Sequence, residues 1–294
     1  MIAIISMFRN KESIAPFWAQ QVVALADFSV LIDHRSEDRS SELLATIPES
    51  AILKCDSSGY PQSAIMSAAM QECFRLGAEW VIPLDLDEFI PFSTRNQLSA
   101  FLDLFSEHRT LRWPWRNLCP EEMEHEFTLD QKFTYLHAAG NHWKVIINRK
   151  AYERDPHLTL SPGSHELNAE TDVFPISDTP LRHIPVRSRN DWFAKTQQGT
   201  TAVSEDPKFQ QAGYGIHWAE HALRGTEVSG RELNQTAWCY PLVDCKKFHL
   251  WARKEEFQFL YPTLNRELTV SVLPSSVGTI TVKGDLAEIS WGEK

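Results

Sequence analysis

Basic residues are in short supply in this chain: 29 Lys and Arg stand against 39 Asp and Glu over 294 residues, a formal net charge of -10. Nucleic acids are bound through basic surfaces, so a long polyanion is excluded as the expected partner. Long apolar runs are also missing, none approaching the ~18 residues needed to cross a bilayer. The opening stretch MIAIISMFRNKE lacks the basic region and small-residue cleavage site of a signal peptide. Cysteine is sparse, at positions 55, 73, 119, 239 and 245, with no C-x-x-C pair. An odd, scattered count reads as reduced thiols and a cytoplasmic location, a Cys239–Cys245 pair being the alternative. Internal repeats, low-complexity tracts and long linkers are absent.

What remains is ordinary globular composition, 43% hydrophobic and 23% charged. That is enough for one large domain, or one domain with appendages. Apolar runs at 2–7, 28–32, 51–54 and 80–84 predict buried strands. Between them, Ile14, Phe17, Trp18, Val22 and Leu25 share a helical face, with Ser13 as the expected cap and Pro16 in the first turn. Residues 41–47 predict a short helix. A longer one runs from Pro61 to Leu76, with Gly77 placed as a C-cap glycine. Residues 97–106 predict another, with Leu98, Phe101, Leu102 and Phe105 inward. This β-α-β-α-β order predicts an α/β fold, a mostly parallel sheet with helices on both faces. Further on, 112–118 and 144–149 read as strands, 152–190 as largely irregular and site-forming, and 191–199 as the start of a helix. The tail 268–291 is β-leaning, either a small appendage or a hairpin packed on the main sheet.

Residues 79–90, EWVIPLDLDEFI, are the most informative segment. An apolar strand delivers Asp85, Asp87 and Glu88 onto one short turn. Clustered carboxylates repel one another and resist burial, so such a turn is expected to hold a cation. Oxygen ligands favour Mg2+ or Mn2+, and Mg2+ typically takes one or two carboxylates plus substrate phosphates. In open α/β sheets, ligands bind outside the carboxyl ends of the strands. Here those ends carry residues 8–12, 33–39 and 85–88, three polar loops expected to converge on one crevice.

These segments resemble a known family. SMFRNKE after the first strand, IDHRSED after the second and GAEWVIPLDLDEF are similar to the nucleotide-sugar-binding half of family 2 glycosyltransferases with the GT-A fold. LSPGSHEL (160–167) and LRHIPVRSRNDWFAKTQQG (181–199) are similar to a bacterial branch of that family. The resemblance covers residues 1–200. Its second loop departs from the usual DNgSxDgT, reading Asp33-His34-Arg35-Ser36-Glu37-Asp38-Arg39. The implied organisation is a GT-A domain over 1–250, with a nucleotide-sugar-binding half at 1–110 and an acceptor half at 111–250. A C-terminal β-rich extension follows at 251–294.

The resemblance also implies roles. Ser6, Phe8, Arg9 and Glu12 would line the base pocket, with Asp33 accepting a hydrogen bond from the base. Asp85 would hold the ribose or a metal-bound water, and Asp87 would ligate Mn2+ or Mg2+. His165 and His183 are the candidates for a further metal ligand, and Arg187, Ser188 and Lys195 for contacts to the diphosphate. An inverting transfer needs a general base. Glu166 is the first choice because its Gly-containing loop would present it in the crevice, and Asp191 the second. The expected partners are a nucleotide-sugar donor, UDP foremost, and a carbohydrate or lipid-linked glycan acceptor, reached by peripheral membrane contact without insertion. The expected product is a surface polysaccharide, lipopolysaccharide or other glycoconjugate. Competing readings give Asp33 an ordinary loop role, the two histidines structural roles, and Trp113, Trp115 and Trp143 core positions rather than sugar platforms. Two rival functions are a non-catalytic nucleotide- or glycan-binding module and a nucleotidyltransferase. The second is disfavoured because the loop MFRNKE carries no glycine.

Overall fold

Successive side chains of β1 (Ile2–Phe8) alternate between two cores: Ile2, Ile4 and Phe8 enter one, and Ala3, Ile5 and Met7 the other. A strand whose two sides are both apolar belongs at the centre of a sheet covered on both faces. β1 lies there in this computed structural model, which describes residues 1–124, 126–136, 142–168, 173–206, 211, 216–224, 227–241, 254–257 and 272–293.

Next come α1 (Ala15–Leu25), β2 (Phe28–Asp33), α2 (Ser40–Leu44), β3 (Ser50–Lys54), α3 (Gln62–Arg75) and β4 (Trp80–Pro83). They are followed by β5 (Glu88–Phe89), α4 (Arg95–Asp103), β6 (Thr110–Asn117), β7 (Cys119–Pro120), β8 (Phe133–Leu136) and β9 (Trp143–Asn148). Beyond these lie α5 (Arg149–Arg154), β10 (Val173–Pro175), β11 (Leu181–His183), α6 (Arg189–Ser204), β12 (Lys254–Phe257), β13 (Val277–Lys283) and β14 (Leu286–Trp291). Helices also span Ile216–Arg224 and Gly230–Cys239.

The main sheet has the order β14-β13-β3-β2-β1-β4-β9-β6-β11-β5, with β10 pairing β6. Strands β13, β3, β2, β1 and β4 are parallel neighbours. The α/β fold is therefore mixed and mostly parallel, becoming antiparallel at β9. Trp18, Val22, Leu25, Leu98 and Leu102 cover one face, and Ile65, Ala69, Cys73 and Phe74 the other. Each large side chain so buried contributes about 1.5–3 kcal/mol.

One local detail differs from expectation. α1 has no side-chain cap: its first turn is closed by the Lys11 carbonyl, and the Ser13 hydroxyl donates instead to Asp191 at 3.2 Å. The N-terminus of α4 is fixed by a Thr94/Gln97 capping box. At the tail, the β13–β14 hairpin continues the main sheet by pairing with β3 rather than standing apart. β12 joins β8 and β7 in a second sheet, so residues within 251–294 pair with two different parts of the chain. Cys245, one half of the alternative disulfide, lies outside the described residues.

Candidate active site

Parallel pairing of β1 with β2 and β4 brings their carboxyl ends together, and the loops beginning at Arg9, His34 and Leu84 meet there. The turn after β4 is held by Glu88, which is fully buried. Its Oε2 accepts the Asp85 N–H at 2.8 Å, and its own N–H donates to the Asp85 carbonyl at 3.0 Å. Glu88 also pairs with His183 across β5 and β11, and the Ile184 N–H donates to the Asp87 carbonyl at 2.8 Å. Asp87 and His183 are therefore brought side by side from positions far apart in sequence. They open onto a crevice of about 430 Å³ lined by Arg9, Lys11, Lys195, Asp85, Trp115 and Tyr240, among others.

Two lysines, Lys144 buried and Lys195 partly exposed, meet the two aspartates. Lys144 of β9 donates to Asp85 Oδ2 at 2.7 Å and to the Gly163 carbonyl at 2.7 Å, and lies 3.4 Å from Glu88 Oε1. Burial alone would lower the Lys144 pKa, but Asp85 and Glu88 hold it raised. Burial drives Glu88 the other way, well above the usual carboxylate range, with the Lys144 ammonium opposing the rise. Lys195 of α6 donates to Asp87 Oδ2 at 2.7 Å and to the Pro185 carbonyl at 3.2 Å. Asp87 is 4% exposed, and although burial favours its protonated form, the Lys195 and Lys11 ammonium groups hold its carboxyl well below the usual range.

His183 is neutral, its pKa pushed down to about 3 chiefly by burial. Its Nδ1 donates to Asn117 Oδ1 at 2.8 Å, which leaves the Nε2 lone pair facing Asp87 Oδ1 at 3.8 Å. Two acceptors aimed at each other, with no hydrogen between them, are an arrangement that a cation resolves. Asp87 Oδ1 and His183 Nε2 thus fit a divalent ion that takes its remaining ligands from a phosphorylated substrate and water. Asp85 and His165 stand outside that pair. Asp85 is held by Lys144, and His165 donates from Nδ1 to the Trp143 carbonyl at 2.6 Å. Among the described residues no group of three or more His, Cys, Asp or Glu gathers around one point.

The other expected site residues divide. Phe8, Arg9 and Lys195 line the crevice, and Arg187 lines a pocket adjoining it. Ser6 is buried inside β1 and does not line the crevice. Asp33 accepts the Ser36 N–H at 2.8 Å and the Ser41 hydroxyl, so its carboxylate braces the second loop, and His34 rather than Asp33 lines the crevice. Glu12 is turned toward Arg39, accepting its N–H at 3.3 Å. Ser188 caps α6, its hydroxyl accepting the Asp191 N–H at 3.2 Å.

The two expected bases are placed otherwise. Asp191 is held by Arg187 Nε at 3.1 Å and by Ser13, and although burial acts to raise it, Arg187 keeps its pKa lowered. Glu166 is exposed, 3.9 Å from Arg112, and does not line the crevice. Gly163 and Ser164, at φ +74° and +54°, turn the 160–167 loop, in which His165 lines the crevice and Glu166 is exposed. Sequence reasoning missed Lys11, Gln62, Asn117, Lys144 and Tyr240. Lys144 carried one usable signal, a charge inside the apolar strand WKVIIN. Trp113 is wholly buried, whereas Trp115 is both core and crevice wall, its ring 4.2 Å from that of His183.

Comparison with solved structures finds S. aureus TarS 1–349, at 11% identity over 80% of this chain and 74% of that one, with a TM-score of 0.40. The same fragment in complex with UDP matches at 13% identity over 78% and 72%, with a TM-score of 0.40. A Desulfovibrio desulfuricans G20 protein provisionally named a nucleotide-diphospho-sugar transferase matches at 10% identity over 78% and 99%, with a TM-score of 0.37. No protein-family model and no curated protein matches.

Proposed function

We propose that this protein is a glycosyltransferase that moves a sugar from a nucleotide-sugar, UDP-sugars foremost, to a glycan or lipid-linked acceptor. The observation that carries the reading is the Asp87–His183 pair, set among cations at the carboxyl ends of parallel strands. Such a site suits a substrate whose diphosphate is the leaving group. Mn2+ or Mg2+ held by Asp87 and His183 would act as a Lewis acid toward that diphosphate. Lys195, fixed against Asp87, supplies a second positive charge on the same side. Tyr240, Trp115 and Tyr60 offer aromatic faces for base and sugar rings.

In the transfer, the acceptor oxygen bonds to the anomeric carbon while the bond from that carbon to the diphosphate oxygen breaks. The electron pair leaves with the nucleoside diphosphate. The acceptor proton passes to His142, a crevice imidazole kept neutral by burial, whose ring nitrogens carry no hydrogen bond among the described residues. A cytoplasmic location, and a product that is a surface polysaccharide or other glycoconjugate, follow from the family resemblance and belong to the same proposal. Among the described residues no helix is long and apolar enough to cross a membrane.

Calorimetric titration with UDP and GDP, each with Mn2+ and with EDTA, tests the donor site, followed by assays of UDP-sugar consumption. UDP binding strengthened by Mn2+, with donor turnover, supports the reading. GDP preference keeps the class and changes the donor. Nucleotide binding with no donor ever consumed would instead favour the non-catalytic module.

A further inference from the structure

Beside the Asp87–His183 pair lies a second pocket of about 320 Å³, between the loop after β1 and the first turns of α6. Its charged lining is Arg9, Lys11, Arg187, Lys195 and Asp191. Counting Asp87, which Lys195 engages from the adjoining crevice, four cations face two carboxylates and leave two positive charges uncompensated. Arg187 is packed against protein, and Arg9, Lys11 and Lys195 are each partly exposed to the pocket. Arg187 is 3% exposed, and its Nη1 is buried without a hydrogen-bond partner, as is Arg9 Nε. The Lys11 ammonium has no ion pair or hydrogen bond among the described residues. Buried charged donors left unmade are costly, and a protein retains them where a ligand completes them.

The geometry of the cations specifies the ligand. Arg187 spends Nε on Asp191 at 3.1 Å, and Nη1 stays unspent. Lys195 spends two of its three N–H groups, on Asp87 and on the Pro185 carbonyl, and keeps the third. Two arginines and two lysines, each with donors unspent and with only two carboxylates among them, match a compact tetrahedral dianion better than a single carboxylate.

We infer that this pocket is a phosphoryl-binding subsite, with Lys11 and Arg187 as its principal ligands, that works without a metal. The inference extends the glycosyltransferase reading but is tested apart from it. The phosphoryl group comes either from the donor diphosphate or from a phosphorylated acceptor.

The test is calorimetry with inorganic pyrophosphate and with UDP on the full chain, first in EDTA and then in Mn2+. Pyrophosphate is expected to bind in EDTA, weakly and with a marked salt dependence. Lys11→Met is expected to weaken it by about tenfold or more, the loss of one charge-assisted hydrogen bond. Because Lys11 has no partner to strand, this variant should melt like the parent. Arg187→Lys, which keeps a charge beside Asp191, should recover part of the affinity lost in Arg187→Met. If Lys11→Met weakens UDP as well as pyrophosphate, the phosphoryl group is the donor's. If it weakens pyrophosphate alone, the group belongs to the acceptor. A parent that binds no pyrophosphate in EDTA, or a Lys11→Met chain that binds it as the parent does, overturns the subsite. Failure of UDP and GDP to bind while pyrophosphate binds would overturn the donor reading and leave the subsite standing.

Discussion

Lys195 reaches across 108 residues of chain to place its ammonium 2.7 Å from Asp87 Oδ2, with side chains only 14% and 6% exposed. Read from the sequence as a metal ligand in a surface crevice, Asp87 is a carboxylate whose neutralisation would leave the fold near intact. The pair changes that expectation. Removing one partner leaves a buried charge without its counter-charge, which typically costs about 3–5 kcal/mol, whereas removing both avoids most of that cost. Lys195→Met and Asp87→Asn are each expected to be strongly destabilising, and the double variant less so than the sum of the two. Urea unfolding of the four proteins gives the coupling energy. Additive losses would mean that the pair is not coupled in solution.

Acid should destabilise the protein earlier than carboxylate titration alone predicts. His183 and His165 have folded pKa values of about 3 and about 4, lowered chiefly by burial, against about 6.5 in the unfolded chain. A depressed folded value means stability that is complete above the unfolded pKa and lost as pH falls through the interval below it. Below pH 6.5 the unfolded chain takes up these protons and the native one does not. Between pH 7.5 and 5, the loss should reach a few kcal/mol, each ring adding up to about 1.4 kcal/mol per pH unit. Unfolding curves across that range measure it. His183→Asn should lower the slope by nearly one proton, and an unchanged slope would remove His183 from the account.

Lys11 gives a ligand-linked counterpart with the opposite sign. Its pKa is lowered to about 8 by burial, and further by Arg187 and Lys195. Below pH 8 the ammonium is charged and attracts a phosphoryl group, and above pH 8 it is neutral and does not. Pyrophosphate affinity should therefore drop about tenfold between pH 7 and 9 in the parent. The drop attributable to Lys11 is the difference from Lys11→Met, which cancels titration of the ligand itself. Parallel profiles for the two proteins would assign the pH dependence elsewhere.

What could be read from the sequence, and what could not, follows from the range of the interactions. Strand β1, helix α3 with Gly77 at its end, and the strand-to-carboxylate turn at Asp85–Asp87 are set by neighbours within a few residues, so periodicity and turn chemistry disclose them. Asp33 was legible in principle, since a serine three residues on is a common partner for an aspartate at a loop start. Lys144 on Asp85, Lys195 on Asp87 and Ser13 on Asp191 join residues 59, 108 and 178 positions apart. No local pattern reports such pairs. Inward-facing His165 and outward-facing Glu166 are adjacent, so which of them entered the crevice depended on the left-handed turn at Gly163 and Ser164.

That turn also decides where the general base is sought. Glu166 is solvent-exposed and pairs loosely with Arg112 at 3.9 Å, while Asp191 is tied to Arg187 and Ser13. Glu166 thus stands outside the crevice lining, and Asp191 has its carboxylate engaged by two partners. His142 lines the crevice, and burial lowers its pKa, so its imidazole is neutral and able to accept at pH 7. Glu166→Gln is therefore expected to keep donor turnover within about twofold of the parent, whereas His142→Ala should lose about 100-fold or more, the usual contribution of a positioned base. UDP affinity should be unchanged in both variants, which separates loss of the base from loss of the site. Steady-state transfer assays on the two variants, with UDP titrations alongside, measure this. A large loss in Glu166→Gln with His142→Ala near parental would return the role to the outward-facing carboxylate and require the 160–167 loop to move in the working enzyme.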